Sequence, residues 1–457
     1  MNVTGTLGKT AAAWRIFINN VGSTGFWLLF SFVLLFFVCF TVYLLCDRHR
    51  VVTTYYCGVS GFFYTLLSIQ HPLLHFPLLE VDIAVSLHIS VYLTILLSGV
   101  VSKKGDNWIV RGLTFPGYFF INTSLLWLVL LPLTVFLPEI TIMISVSLGG
   151  YGFFQAINVS YEKVTLLLDQ TIAYPSLQRL KTNIGRQHDP KKPTEETKSP
   201  LLEILHLADL DVGPFLSCKR CARTIAKMLV LKPDMVVFTG DLASPMMSQS
   251  RSLHKALVPL KSYNGPKYAV LGNKDHYNKK KVIQALETVG FIVLSDSEDV
   301  VSITRKDGTD INVQVLGSAF HTSDPQLKIR RLCKTHAPKH EHFRLLLSHT
   351  PELFHHLSGY KHLNQAASQS IPSQKRGRFL IQGDAGTGCD LVLAGHTHGG
   401  FWGLSSLFNA INLVSKIPSR GFWANGTSRM YVSRGLGCCG APMRLGISPE
   451  ISLLSIQ

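Results

Sequence analysis

Asp390-Leu391-Val392-Leu393-Ala394-Gly395-His396-Thr397-His398-Gly399-Gly400 is an apolar run of strand length that breaks off into two histidines bracketed by glycines. A run of about five residues suits a buried strand. The glycines that follow let backbone approach closely where a turn is tight. A pair of imidazoles delivered by such a turn is a candidate metal-ligand motif.

The same arrangement recurs upstream. Leu201–Leu207 is followed by Asp209 and Asp211, and Met235–Thr239 by Gly240-Asp241. Lys267–Leu271 is followed by Gly272-Asn273-Lys274-Asp275, and Phe343–Leu347 by Ser348-His349. Ile311–Leu316 is a further strand, and Cys221–Leu231 and Ser252–Leu260 are predicted helices between strands. The alternation indicates an α/β domain. Ligands in such domains collect at the carboxyl ends of the strands. Two cations about 3.5–4 Å apart need a bridging carboxylate and several nitrogen and oxygen ligands. Asp, Asn and His supply them, and the mixture suits Mn, Fe or Zn.

The remainder of the chain has a different character. Of 457 residues, 47% are hydrophobic and only 16% charged, with a net charge of +16. Apolar runs near the minimum membrane-spanning length of about 20 residues cover Gly25–Cys46, Val51–Ile69, Ile83–Val101, Gly117–Leu137 and Ile140–Asn158. Residues 1–175 are therefore expected to be a membrane region of about five helices. Arg48, Arg50, Lys103, Lys104 and Arg111 fall in loops on one side, which places the C-terminal half in the cytosol by the positive-inside count. Residues 176–200, ending in Lys-Lys-Pro-Thr-Glu-Glu-Thr-Lys-Ser-Pro, are predicted to be a polar linker. The basic balance suits anionic headgroups or phosphorylated substrates, and no nucleic-acid module is present in the sequence. Cys218 and Cys221 form a lone C-x-x-C without the second pair that a structural zinc site needs.

The ordered motifs from Leu201 onward resemble the calcineurin-like metallophosphoesterase superfamily, and its membrane-associated bacterial branch in particular. The segment Tyr431–Gly437, with Pro442, Arg444, Pro449 and Glu450, is similar to that branch's closing segment. The resemblance implies two packed mixed sheets flanked by helices over residues 201–457. It implies two divalent metal ions, one held by Asp209, Asp211, Asp241 and His398, the other by Asp241, Asn273, His349 and His396. Asp241 would be the bridge.

Two positions depart from the family pattern. Asp211 stands where the family has His, and a carboxylate adds negative charge and favours harder cations. Lys274 stands where the family has the His that protonates the leaving group. Lys274 and Asp275 are the candidate catalytic residues; Lys274 would clamp transition-state charge or donate a proton. His276 is a weaker substitute. The implied activity is hydrolysis of a phosphoester or pyrophosphate by a metal-bound hydroxide at a membrane. Its partners would be the bilayer and a phosphorylated small molecule or lipid. The alternative is a catalytically impaired relative that binds metal or a phosphorylated ligand.

Overall fold

The computed structural model describes residues 138–168, 178–179, 183–186, 200–213, 215–244, 253–305, 307–320, 331–337, 342–354, 389–400, 418–425, 428–438 and 442–457, with isolated positions between 119 and 130. The chain divides into two compact units, Met1–Tyr151 and Gly152–Gln457.

Among the described residues of the second unit, fourteen strands form two mixed seven-stranded sheets. The first contains β1 (Ser160–Leu166), β3 (Asn183–Arg186), β4 (Leu202–Leu207), β5 (Met235–Phe238), β6 (Lys267–Ala269), β7 (Ile292–Val293) and β14 (Glu450–Ile456). Its spatial order is β3-β1-β14-β4-β5-β6-β7. The second contains β2 (Gln178–Arg179), β8 (Ser297–Thr304), β9 (Asp310–Gly317), β10 (His342–Leu347), β11 (Leu391–Ala394), β12 (Gly421–Asn425) and β13 (Ser428–Val432). Its order is β2-β12-β13-β11-β10-β9-β8.

Side-chain alternation along the strands builds two cores. Leu202, Ile204, Val237 and Tyr268 from the first sheet face Val315, Leu345, Leu347 and Leu393 from the second. Leu205, Leu207, Val236 and Phe238 point the other way. They are covered by Ile225 and Met228 of α2 (Cys218–Leu229) and by Val282 and Leu286 of α3 (Lys279–Glu287). Every residue of β4 is buried, as expected of a strand covered on both faces. Cys218 and Cys221 are buried thiols on α2, so the C-x-x-C is a pair of small apolar core residues.

β4, β5 and β6 run parallel, and so do β9, β10, β11 and β13. In each sheet, the strands that feed the motif loops therefore end on the same side.

Three expectations change. Ser252–Leu260 is two short 3₁₀ pieces, Leu253–Ala256 and Val258–Ser262, because Pro259 at the start of the second cannot continue a helix. The sheets also reach back past Leu201. β1 lies between β3 and β14, and both β2 and β3 fall inside the stretch read as a linker. Their sequences are polar because their pairing partners, not their own hydrophobicity, hold them in strand form. Finally, the first three expected spans lie outside the described residues, as does most of the fourth. The fifth coincides with α1 (Pro138–Ile157). Among the described residues no helix is long and apolar enough to cross a membrane. The last residues of α1 belong to the second unit, in which Gly152 accepts the Arg444 backbone N–H and Ser448 donates to Gln155.

Candidate metal centre

Asp209 and Asp211 follow β4, Asp241 follows β5, and Asn273, Lys274 and Asp275 follow β6. His349 follows β10, and His396 and His398 follow β11. Backbone bonding continues past the strand ends: Asp209 N–H donates to Gly240 O (2.9 Å), and Gly395 N–H to His349 O (3.1 Å). The loops are thereby held in register with the sheets. Seven described non-glycine residues have positive φ, and Asp209, Asp211, Asp241, His396 and His398 are five of them. Backbone strain of about 1–3 kcal/mol per residue persists only where the surroundings over-determine it, and it collects at functional sites.

One half of the site has ligand character. Among the described residues, Asp241, His349 and His396 are the one group of three whose ligand atoms lie within 4.8 Å of one another. His349 Nδ1–H donates to the Thr239 carbonyl oxygen at 2.8 Å, so Nε2 is the nitrogen that can give up a proton to a metal. That nitrogen faces Asn273 Oδ1 at 2.9 Å, His396 Nδ1 at 3.1 Å and Asp241 Oδ2 at 3.5 Å. Acceptors turned on one another need a cation or a proton between them. Without a metal, the His349 pKa is raised to about 9: burial pulls it down, but the Asp241 carboxylate more than offsets this. His396 falls to about 4 through burial and the neighbouring His349. Asp241 Oδ2 is buried with no hydrogen-bond partner and rests on ionic contacts alone. Burial would raise the Asp241 carboxyl, yet His349 and Lys274 hold it far below the usual carboxylate range. These four residues fit a divalent ion.

The other half differs. Lys274 Nζ lies 2.8 and 2.9 Å from the two oxygens of Asp211 and 2.8 Å from Asp241 Oδ2. Burial opposes ionisation of Asp211, but the Lys274 ammonium outweighs it and keeps the pKa below its usual value. His398 Nε2 is 3.2 Å from Asp211 Oδ2 and 3.8 Å from Asp209 Oδ1. Asp209 Oδ2 accepts the His396 backbone N–H at 2.8 Å. Burial raises the Asp209 pKa, and its Oδ1 has no hydrogen-bond partner.

Asp275 points away from this gap. Its carboxylate accepts N–H bonds from Asp241 (2.8 Å), Leu242 (2.8 Å) and Gly272 (2.9 Å). It is thus a positioning residue for the Asp241 loop. Its pKa is raised to about 7 by burial and by Asp241, against the pull of those amides. Gly272 is required by close approach: a Cβ there would stand 2.2 Å from Asp241 Oδ1.

Sequence reasoning did not find the parts played by Thr239, Arg444 and Phe320. Arg444 Nη2 donates to Gly437 O (2.8 Å) and lies 3.3 Å from His398 Nδ1. The Phe320 ring stands edge-on to His349, with centroids 5.9 Å apart. No motif marks Thr239 or Phe320; the Gly-Asp that follows Thr239 was the only nearby signal. Arg434 links Glu450 to Glu162, so the closing segment is clasped to β1.

Residues 202–400 match the family model of the calcineurin-like phosphoesterases. The uncharacterized metallophosphoesterase YkuE of Bacillus subtilis is 24% identical over 56% of this chain and 79% of its own length. A zebrafish (Danio rerio) transmembrane protein with metallophosphoesterase domain is 26% identical over 59% of this chain. That match covers 56% of the fish protein, a little over half of its length. The Escherichia coli phosphodiesterase YaeI is 24% identical over 56% of this chain and 82% of its own length.

Proposed function

We propose that this chain is a membrane-anchored, metal-dependent phosphohydrolase that cleaves a phosphoester or pyrophosphate linkage. One observation carries the reading. Asp241, Asn273, His349 and His396 bring oxygen and nitrogen lone pairs together where the strand ends meet. A divalent ion there would polarise a phosphoryl oxygen and lower the pKa of water. The protein's own groups do the rest. The Thr239 carbonyl holds His349 in the ligating tautomer, and the Asp275 carboxylate fixes the Asp241 backbone. The Lys274 ammonium places positive charge beside Asp241, where an anionic transition state would be stabilised.

Membrane anchoring is supported by the apolar runs before residue 158 and by the likeness to a zebrafish transmembrane protein. The cytosolic placement rests on the Lys and Arg count. The E. coli relative's name favours a diester as substrate. The second reading, binding of metal or a phosphorylated ligand without turnover, is favoured by the pairing of Lys274 with Asp211.

The full chain, purified in detergent with Mn added, is expected to hydrolyse an aryl phosphodiester and to lose that activity on Asp241→Asn. Metal binding without turnover across Mn, Fe, Zn and Mg would favour the second reading.

A further inference from the structure

We infer that this protein holds one divalent ion rather than two, and that the Lys274 ammonium is the built-in cation of the second position. The inference rests on the metal-dependent reading above and sharpens it.

Three independent observations converge. First, the gap between Asp211 and Asp241 is filled. Lys274 Nζ is within 2.9 Å of both Asp211 oxygens and 2.8 Å from Asp241 Oδ2. The Lys274 side chain is only 9% exposed, and those of the two aspartates not at all. A second ion would have to displace a buried ammonium or sit against it, and like charges at that range repel.

Second, two of the three candidate imidazoles at this centre, His349 and His398, are held in opposite tautomers. Thr239 O can only accept, so His349 carries its proton on Nδ1 and offers Nε2 as a lone pair. Arg444 can only donate, so His398 Nδ1 accepts and the ring proton sits on Nε2, 3.2 Å from Asp211 Oδ2. A ligating nitrogen needs a lone pair. His398 therefore turns its lone pair to Arg444 and its Nε2, which makes no hydrogen bond, towards the carboxylates.

Third, among the described residues only Asp241, His349 and His396 form a three-ligand group. Asp209 Oδ1 and His398 Nε2 both lack a hydrogen bond, but they stand 3.8 Å apart and no third ligand atom groups with them.

The two departures from the family pattern thereby explain each other. Asp211 adds a negative charge where an imidazole is usual, and Lys274 adds the positive charge that meets it.

Elemental analysis of the full chain after loading with Mn tests this directly. One ion per chain is expected, with the six-line electron paramagnetic resonance spectrum of an isolated Mn(II) ion. The double variant Asp211→His, Lys274→His should rise to two ions and show the exchange-coupled spectrum of ions about 3.5–4 Å apart. Two ions in the wild-type chain would overturn the inference and leave the hydrolase reading intact. One ion without phosphodiester hydrolysis would uphold the inference and sink the hydrolase reading. No bound ion would overturn both. Should the double variant misfold, the wild-type count and spectrum still decide. A folded double variant that binds one ion would show that Lys274 is not what excludes the second.

Discussion

Lys274 Nζ bridges both oxygens of Asp211, at 2.8 and 2.9 Å, across 63 residues of sequence. Both side chains are buried, so breaking the pair leaves an uncompensated charge in the interior. Removing one partner of such a pair typically costs about 3–5 kcal/mol, whereas apolar replacement of both costs far less. Lys274→Met should therefore destabilise the protein by that order in chemical denaturation with chelator present. The paired variant Asp211→Leu, Lys274→Met should recover part of the loss, since Asp241 then keeps His349 as its ionic partner. Equal losses in the single and double variants would show that the two charges are not coupled.

Gly272 sets how closely the β6 loop can approach Asp241. A Cβ would stand 2.2 Å from Asp241 Oδ1 and 2.7 Å from the Asp241 backbone nitrogen, and backbone cannot swing aside as a long side chain can. Gly272→Ala should cost about 1–3 kcal/mol through overpacking. It should also weaken Mn affinity at least about tenfold, in the range expected when support of a ligand is lost. Calorimetric titration with Mn checks this; unchanged affinity would mean the loop has slack.

The ligands were legible because each sits directly after an apolar run. Met235–Thr239, Phe343–Leu347 and Asp390–Ala394 became β5, β10 and β11 with ends shifted by one residue. The clustering of Asp241, Asn273, His349 and His396 follows from that placement. Lys274 reaching Asp211 was not legible, since a contact across 63 residues has no local signature. Nor was the orienting work of Asp275, because its partners are backbone amides that any sequence carries. β1 was missed because Ser160-Tyr161-Glu162-Lys163-Val164-Thr165-Leu166 is half polar. It becomes a strand by pairing with β14.

Metal binding should register as stability. An ion that binds only the folded chain stabilises it by about 2.7 kcal/mol at a hundredfold excess over Kd. Adding Mn should raise the melting temperature, and chelator should reverse the rise. His349→Ala removes the nitrogen that faces Asn273 and His396, so its melting temperature should not respond to Mn. A full response in that variant would place the ion elsewhere.

His206 makes stability sensitive to acid. Burial lowers its pKa from 6.5 to about 4, with Glu450 opposing only in part. As pH falls, the unfolded chain takes up this proton first. The stability contributed by neutral His206 is thus present above about pH 6.5 and is lost on descent towards pH 4. A shift of this size corresponds to about 3 kcal/mol. His206→Leu also loses the contact with Thr239 Oγ1 at 2.9 Å, which offsets its stability at every pH. Its loss between pH 6.5 and 4 should nevertheless be smaller than the wild type's by about 3 kcal/mol. Parallel pH profiles for the two proteins would remove His206 as the cause.

The domain should not survive truncation at Leu201, where hydropathy alone would start it. β1 pairs with β14 from Ser160↔Glu450 to Leu166↔Ile456. Val164 and Leu166 are part of the core between the sheets, and Glu162 holds Arg434. Deleting this strand would bare the backbone edge of a wholly buried strand and leave the Arg434 clasp half made. An open, apolar strand edge is a template for aggregation. A chain beginning at Leu201 should be insoluble or melt without cooperativity. One beginning at Gly152 keeps β1, β2 and β3 and should melt in a single transition. If both fragments were soluble with the same melting temperature, β1 would be an accessory to the fold rather than a part of it.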